Sequence, residues 1–137
     1  MAKYKFLEHT ADVMFEAYGK DENELFENSA LALEEIQVDV KKIKPKIKKI
    51  IELQNNTLEM LLFDFLQELI FIKDTEQLIF SKFKVKIMDN KLKAVCYGEK
   101  INPKEHECKV DAKAVTLHKY EVKKVKNKWI SRIIIDI

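Results

Sequence analysis

A short segment near the start of the chain, residues 8–12, carries three side chains that can bind a proton or a metal ion. Glu8, His9 and Asp12 lie within it, between apolar runs at 4–7 and 13–18, so the segment is predicted to be a turn between two strands. Side chains at such a turn are held by a rigid scaffold and remain reachable from solvent. The segment is therefore the first candidate for a functional site.

The second candidate is the end of the sequence, where Asp136 interrupts a run of isoleucines. A carboxylate among buried isoleucines costs free energy unless something neutralises it, and Ile137 adds its main-chain carboxylate one residue later. We expect Asp12, Asp136 and Ile137 to meet around a hard cation, because oxygen ligands suit Mg²⁺, Ca²⁺ or Mn²⁺ and not zinc. The alternative is that Asp12 caps a turn and Asp136 protrudes where the chain frays.

Other reactive side chains have no motif around them. His9, His106 and His118 could serve acid–base chemistry, but each taken singly also fits a structural, hydrogen-bonded role. No nucleophile signature surrounds the hydroxyls of Thr10 or Ser131. The Walker pattern and the dinucleotide fingerprint are also absent, so we expect no nucleotide binding by this chain alone.

The chain is predicted to form a single α+β domain spanning residues 1–137, and its composition, with 47% hydrophobic and 35% charged residues, is typical of a folded protein. Cys96 and Cys108 lack CxxC spacing, which favours reduced thiols in a cytosolic protein. The N-terminus has no signal-peptide core and no apolar run is long enough to span a membrane. We therefore expect a cytoplasmic protein without membrane contact.

Charge is unevenly distributed along the chain. Residues 1–40 carry 3 basic and 10 acidic groups, whereas residues 81–137 carry 15 basic and 7 acidic groups. The basic part could face RNA or an acidic protein; the alternative is that strands with one solvated face simply use lysine there. No aromatic platform of the RNA-recognition type is interleaved with these lysines, so direct reading of bases is not expected.

The elements that would position these residues are predicted to be two helices on mostly antiparallel sheets of seven or eight strands. A capping-box spacing from Asp21 to Glu24 starts the first helix, which should end near Ile36, and the spacing from Asn56 to Glu59 starts the second. The second helix is apolar over most of its circumference and should form the core. Strands are predicted at 3–7, 12–18, 47–53, 80–88, 91–97, 110–118, 120–126 and 129–137, with a hairpin turn at 89–90, a loop at 98–107 and a turn at 127–128.

Five ordered stretches together form a specific pattern: FLEHTADV at 6–13, FENSALA at 26–32, LLFDFLQELI at 61–70, the group His106, Lys109, KAVT at 113–116 and His118, and IDI at 135–137. This pattern resembles the archease family, and the resemblance runs from end to end without large insertions. It differs from the family at Met14, where the family usually has glycine, and at Gln67, where it usually has asparagine.

The resemblance implies a small, non-catalytic cofactor of the RtcB-type tRNA-splicing ligase. That ligase is metal- and GTP-dependent and joins 2′,3′-cyclic-phosphate or 3′-phosphate RNA ends to 5′-hydroxyl ends. Archeases speed formation of its guanylylated histidine and allow repeated turnover. RNA would be contacted indirectly, through the ligase.

Carried over by position, the resemblance implies metal ligands at Asp12, Asp136 and Ile137, the last through its main-chain carboxylate, for Ca²⁺, Mg²⁺ or Mn²⁺. Two alternatives stay open: a general RNA- or protein-binding chaperone, and a metal-dependent hydrolase. The residues expected to support the site or to contact the partner are Glu8, His9, His106, Lys109, Lys113 and His118.

Overall fold

The structure is a computed structural model that describes residues 2–7 and 12–137. Within these ranges seven strands form two antiparallel sheets, one with the order β1-β2-β7-β6 and one with the order β3-β5-β4. Two α-helices and one 3-10 turn complete the fold, so the predicted α+β class is confirmed. The elements are β1 (Tyr4–Leu7), β2 (Val13–Gly19), α1 (Glu22–Gln37), the 3-10 turn (Val40–Lys42), β3 (Ile47–Gln54), α2 (Leu58–Glu76), β4 (Leu78–Met88), β5 (Lys91–Lys100), β6 (Ala114–Val125) and β7 (Lys128–Asp136).

Helix α1 begins at the predicted capping box. The Oδ1 atom of Asp21 accepts a hydrogen bond from the N–H of Glu24 at 2.8 Å, and the Glu24 carboxylate accepts one from the N–H of Lys20 at 3.0 Å. These bonds satisfy donors that the first helical turn leaves without partners. The helix ends at Gln37, one residue beyond the predicted position.

The predicted cap of α2 is wrong by one residue. Thr57, and not Asn56, is the N-cap, and its hydroxyl accepts from the N–H of Met60 at 3.2 Å. The N–H of Asn56 is instead held by the side-chain oxygen of Asn55 at 2.6 Å. Because this local turn occupies residues 55–56, the helix starts one position later.

Both helices and the inner faces of both sheets share one hydrophobic core. Phe65 of α2 is fully buried; its ring stacks on Phe26 of α1 and meets Phe83 of β4 edge-on, each with centroids 6.2 Å apart. This confirms the core role predicted for α2. Strand alternation places the buried side chains of Phe15 and Ile133 in the same core, from β2 and β7.

The region after β5 differs most from the predicted boundaries. Strand β5 continues to Lys100 because β4 pairs with it over its full length, so the predicted loop begins later. The two strands predicted at 110–118 and 120–126 are one strand, β6, with an irregularity between Thr116 and Glu121. Lys119 lies there in the left-handed region, at φ 54°, which interrupts the pairing.

Both cysteines are free thiols, as expected. Cys96 lies in the core, where burial raises the pKa of its thiol to about 12, so it stays protonated and unreactive. Neither helix in the described ranges has the length and apolar character needed to cross a bilayer.

Candidate functional site

The two predicted acidic ligands meet at one end of the four-stranded sheet. Strands β2 and β7 are antiparallel, with Val13 paired to Ile135. Continuing this register by one residue places Asp12 directly opposite Asp136. The sequence separates these carboxylates by almost the whole chain, and strand pairing alone brings them together.

Strand alternation also fixes the face of the sheet on which these carboxylates lie. Phe15 and Ile133 point into the core, so Asp12 and Asp136 occupy the opposite face. Asp136 is exposed and Asp12 is half-buried. A carboxylate pair on a solvent-facing strand end can bind a cation without leaving a buried charge unpaired.

Lys113 lies beside the same strand end. The N–H of Lys113 donates to the main-chain carbonyl of Asp136 at 2.8 Å, and Ala114 pairs with Asp136 in the ladder. Lys113 is therefore opposite Ile137, and its side chain is exposed. Of the predicted residues, the structure brings together Asp12, Asp136, Ile137 and Lys113; Glu8 and His9 lie outside the described residues.

The segment leading into β6 is held in place by three side chains from the helices. Lys73 of α2 donates to the carbonyl of Ala112 at 2.8 Å, and the side-chain oxygen of Gln37 accepts from the N–H of Ala112 at 3.4 Å. The side-chain oxygen of Gln67 accepts from the N–H of Val115 at 2.6 Å. These hydrogen bonds fix the main chain on both sides of Lys113, the residue opposite the end of β7.

Lys73 was not predicted from the sequence, although its position on the buried side of α2 could have been recognised from helical spacing. It follows Leu69 by four residues and so continues the buried stripe of α2, where a lysine is unusual. Only 7% of its side chain is exposed. Burial lowers the pKa of the Lys73 ammonium, but hydrogen bonds to Asp111 and Asp74 outweigh that effect and leave the pKa raised.

A buried hydroxyl on the same face of the sheet, that of Thr116, has no assigned hydrogen-bond partner in the described ranges. Thr116 pairs with Ile134, two residues along the ladder from the pair formed by Ala114 and Asp136 and so on the same face. Its Oγ1 is buried and has no hydrogen-bond partner within the part of the chain that the structure describes. The carboxylates of Asp12 and Asp136 are oxygen ligands, which suit a hard divalent cation and its water shell.

A second group of possible metal ligands is better explained as structural. Ligand atoms of Glu99, Glu105 and His106 lie within 4.8 Å of one another. The Nδ1 atom of His106 accepts from the N–H of Asn102 at 2.9 Å, which leaves the proton of a neutral ring on Nε2, 3.0 Å from Glu99. Both ring nitrogens are thus engaged, so a metal would have to displace an existing bond.

The Glu99 carboxylate of this cluster already has hydrogen-bond donors within the protein. The N–H of Lys44, which donates to its Oε2 at 2.7 Å, lowers the pKa of this carboxyl, with smaller help from His106 and Lys46 and against the effect of burial. The cluster ties the loop after β5 to the segment before β3. His106 therefore fits the structural role that was the alternative to a functional one.

The remaining predicted residues do not join the acidic strand end by any contact that the structure gives. The Lys109 ammonium lies 3.1 Å from the carbonyl of Glu35, at the C-terminal part of α1. His118 is exposed within the irregular part of β6. The hydroxyl of Ser131 is buried and lies 2.9 Å from that of Ser29, so it is a core group and not an available nucleophile.

Fold and site together define a class of small α+β protein: two antiparallel sheets, two helices, and carboxylates at a solvent-facing strand end. The model of the Archease protein family (MTH1598/TM1083) matches residues 4–137. The chain therefore belongs to the archease family, as its motifs predicted. Membership of this family supports the interpretation of the chain as an accessory protein.

Named relatives cover the chain completely. It is 40% identical over 142 residues to "Protein archease" of Pyrococcus furiosus and 37% identical over 139 residues to that of Sulfurisphaera tokodaii, in each case over 100% of both chains. The solution structure of Methanobacterium thermoautotrophicum protein 1598 has a TM-score of 0.89 and 39% identity, again over 100% of both chains. A crystal structure from Thermotoga maritima, described as an archease and possible chaperone, has a TM-score of 0.69 and 22% identity, covers 97% of this chain and 96% of its own, and shares the fold.

Proposed function

We propose that this protein activates an RtcB-type, GTP-dependent RNA ligase, promoting guanylylation of the ligase and its repeated turnover without being an enzyme itself. The observation that carries the proposal is the register of β2 and β7, which sets Asp12 opposite Asp136 with Ile137 next in the chain. Membership of the archease family and the resemblance of the motifs support it.

The proposed cation site consists of the carboxylates of Asp12 and Asp136 and the main-chain carboxylate of Ile137. A bound Ca²⁺, Mg²⁺ or Mn²⁺ would supply positive charge that neutralises the phosphates of GTP. The exposed Lys113 lies opposite Ile137 and is placed to contact an anionic group of the partner. The strand end as a whole would then dock at the mouth of the ligase active site and favour the conformation that accepts GTP.

The test is GTP-dependent labelling of the cognate ligase with and without substoichiometric amounts of this protein. Asp12→Asn and Asp136→Asn should remove the acceleration, since each replaces a charged oxygen ligand with a neutral amide of the same shape. Glu107→Gln is the matched control, because it removes one carboxylate charge from an exposed loop position. Circular dichroism of each variant checks that the fold is retained.

Two results separate the parts of the proposal. Full acceleration by a folded Asp12→Asn protein would contradict the role of the acidic strand end. No acceleration by the wild-type chain would contradict the ligase partnership itself. Calorimetric titration with Ca²⁺, Mg²⁺ and Mn²⁺ tests the cation site separately, and equal affinity of wild type and Asp136→Asn would exclude the assigned ligands.

A further inference from the structure

We propose that the outer face of the three-stranded sheet binds the phosphate backbone of RNA directly. This surface, here called the lysine face, carries six exposed lysines and one exposed glutamate. Its members are Lys82, Lys84, Lys86 and Met88 of β4, Lys91, Lys93, Val95 and Tyr97 of β5, and Lys48, Ile50, Glu52 and Gln54 of β3.

The pairing registers of the three strands place these side chains on one surface. Lys82 and Lys48 flank Tyr97, one on each side of the central strand, and Lys86 pairs directly with Lys93. Alternate residues of a strand are about 6.6 Å apart and neighbouring strands about 4.8 Å apart. The lysines therefore form a regular, open array on the solvated face of the sheet.

The array has few internal partners for its charge. Among residues 2–7 and 12–137, no carboxylate lies within 4.0 Å of any of the six ammonium groups. The outer face of the four-stranded sheet is different: Arg132 pairs with Glu16 at 3.1 Å and Lys123 with Glu121 at 2.7 Å. The four-stranded sheet thus pairs part of its surface charge, whereas the three-stranded sheet leaves a concentrated positive surface.

This arrangement works against the stability of the sheet. Lys86 and Lys93 are direct cross-strand neighbours in β4 and β5, and like charges in that relation repel each other. Glu52 lies on the other side of Lys93 and is the one carboxylate among the twelve residues that define the lysine face; Asp89 adjoins it at the β4–β5 turn. A polyanion bound over this surface would relieve the repulsion, which is the charge complementarity expected of a nucleic-acid site.

The shape of the surface favours RNA over an acidic protein. The face is an open sheet, and half-buried Tyr97 lies in its central strand with the Lys82 ammonium 5.6 Å from the ring centroid. Aromatic rings on such sheets stack on bases, and lysines around them neutralise phosphates. With a single aromatic ring the face should bind RNA without reading its sequence.

The lysine face and the proposed cation site are separate surfaces of the protein. The lysine face belongs to the sheet β3-β5-β4, whereas the acidic strand end belongs to the sheet β1-β2-β7-β6. Binding of RNA by the isolated protein can thus succeed or fail whatever happens with a ligase. If both proposals hold, one surface would engage RNA while the other engages the protein partner.

The experiment is fluorescence anisotropy of a labelled single-stranded oligouridine titrated with the full chain at several salt concentrations. The test variant is Lys84→Gln, Lys86→Gln and Lys93→Gln combined. The matched control is Lys123→Gln, Lys124→Gln and Lys126→Gln, which removes the same charge from exposed lysines near the β6–β7 turn. Circular dichroism confirms that both variants keep the wild-type fold.

With six lysines engaged, the slope of log K against log salt should be about −4, and with three removed about −2. The test variant should therefore lose far more affinity at low salt than the control. Equal losses in both variants, or no measurable binding by the wild type, would overturn the proposal. Displacement of the oligouridine by polyglutamate as readily as by unlabelled RNA would also overturn it, in favour of an acidic protein partner.

Discussion

Replacing Lys73 with methionine should destabilise the protein by about 2–4 kcal/mol. The methionine keeps most of the apolar stem, so the packing of α2 against its neighbours changes little. The substitution removes the ammonium hydrogen bond to the carbonyl of Ala112, a group in a fully buried residue. A hydrogen bond from a charged donor contributes about 1.5–3 kcal/mol, and the ion pairs to Asp111 and Asp74 add about 0.2–1 kcal/mol each because those carboxylates are largely exposed.

Equilibrium unfolding in urea measures this change. With an m-value of about 2 kcal/mol/M the midpoint should fall by roughly 1–2 M. Asp111→Asn is the matched control, because it weakens one exposed ion pair and leaves the bond from Lys73 to Ala112 intact; its cost should stay at or below about 1 kcal/mol. If Lys73→Met and Asp111→Asn were equally destabilising, the buried bond would not be what holds this segment.

Three further predictions concern charge. Lys86→Glu should stabilise the protein by about 0.2–1 kcal/mol in thermal unfolding, because it turns the like-charge pair with Lys93 into an opposite-charge pair. The same substitution should weaken binding of oligouridine. A lower melting temperature would contradict the repulsion between Lys86 and Lys93. Burial raises the pKa of Glu34 to about 8, so the folded state holds a proton that the unfolded state releases near pH 4.5. This group should therefore lower the free energy of unfolding by up to about 1.4 kcal/mol per pH unit between pH 4.5 and 8, and Glu34→Gln should remove that part of the pH dependence in urea titrations; an unchanged slope would exclude it. Adding one alanine after Ile137 moves the main-chain carboxylate and should weaken Ca²⁺ binding by at least tenfold in calorimetry, and unchanged affinity would exclude that carboxylate as a ligand.

The helices were the most predictable elements because their signals are local. The capping box at Asp21 and the apolar circumference of α2 follow from residues within a few positions of one another. The same holds for the β4–β5 hairpin, whose turn at Asp89 and Asn90 has positive φ at both residues. The one-residue error at Thr57 arose where two local hydrogen-bonding patterns compete for the same backbone donors.

The candidate surfaces were less predictable, because they depend on which strands become neighbours. Sequence reasoning selected Asp12 and Asp136 through their chemical type and the cost of placing a carboxylate among isoleucines. It named His106 as an acid–base candidate with a structural role as the alternative, and the structure gives that residue two hydrogen-bond partners, the N–H of Asn102 and the carboxylate of Glu99. Residue type alone could not distinguish side chains at an exposed strand end from a side chain held in a structural hydrogen-bond cluster.

The sequence by itself determined the two helices, most strand positions, the family, and the excess of lysine in the second half of the chain. Only the tertiary structure decided that β2 pairs with β7, that Lys73 reaches the segment before β6, and that six exposed lysines share one face of a sheet with a single exposed glutamate. The physical reason is that helix capping and side-chain alternation act over a few residues. Strand order and register arise from burial of the whole core, in which residues far apart in sequence meet.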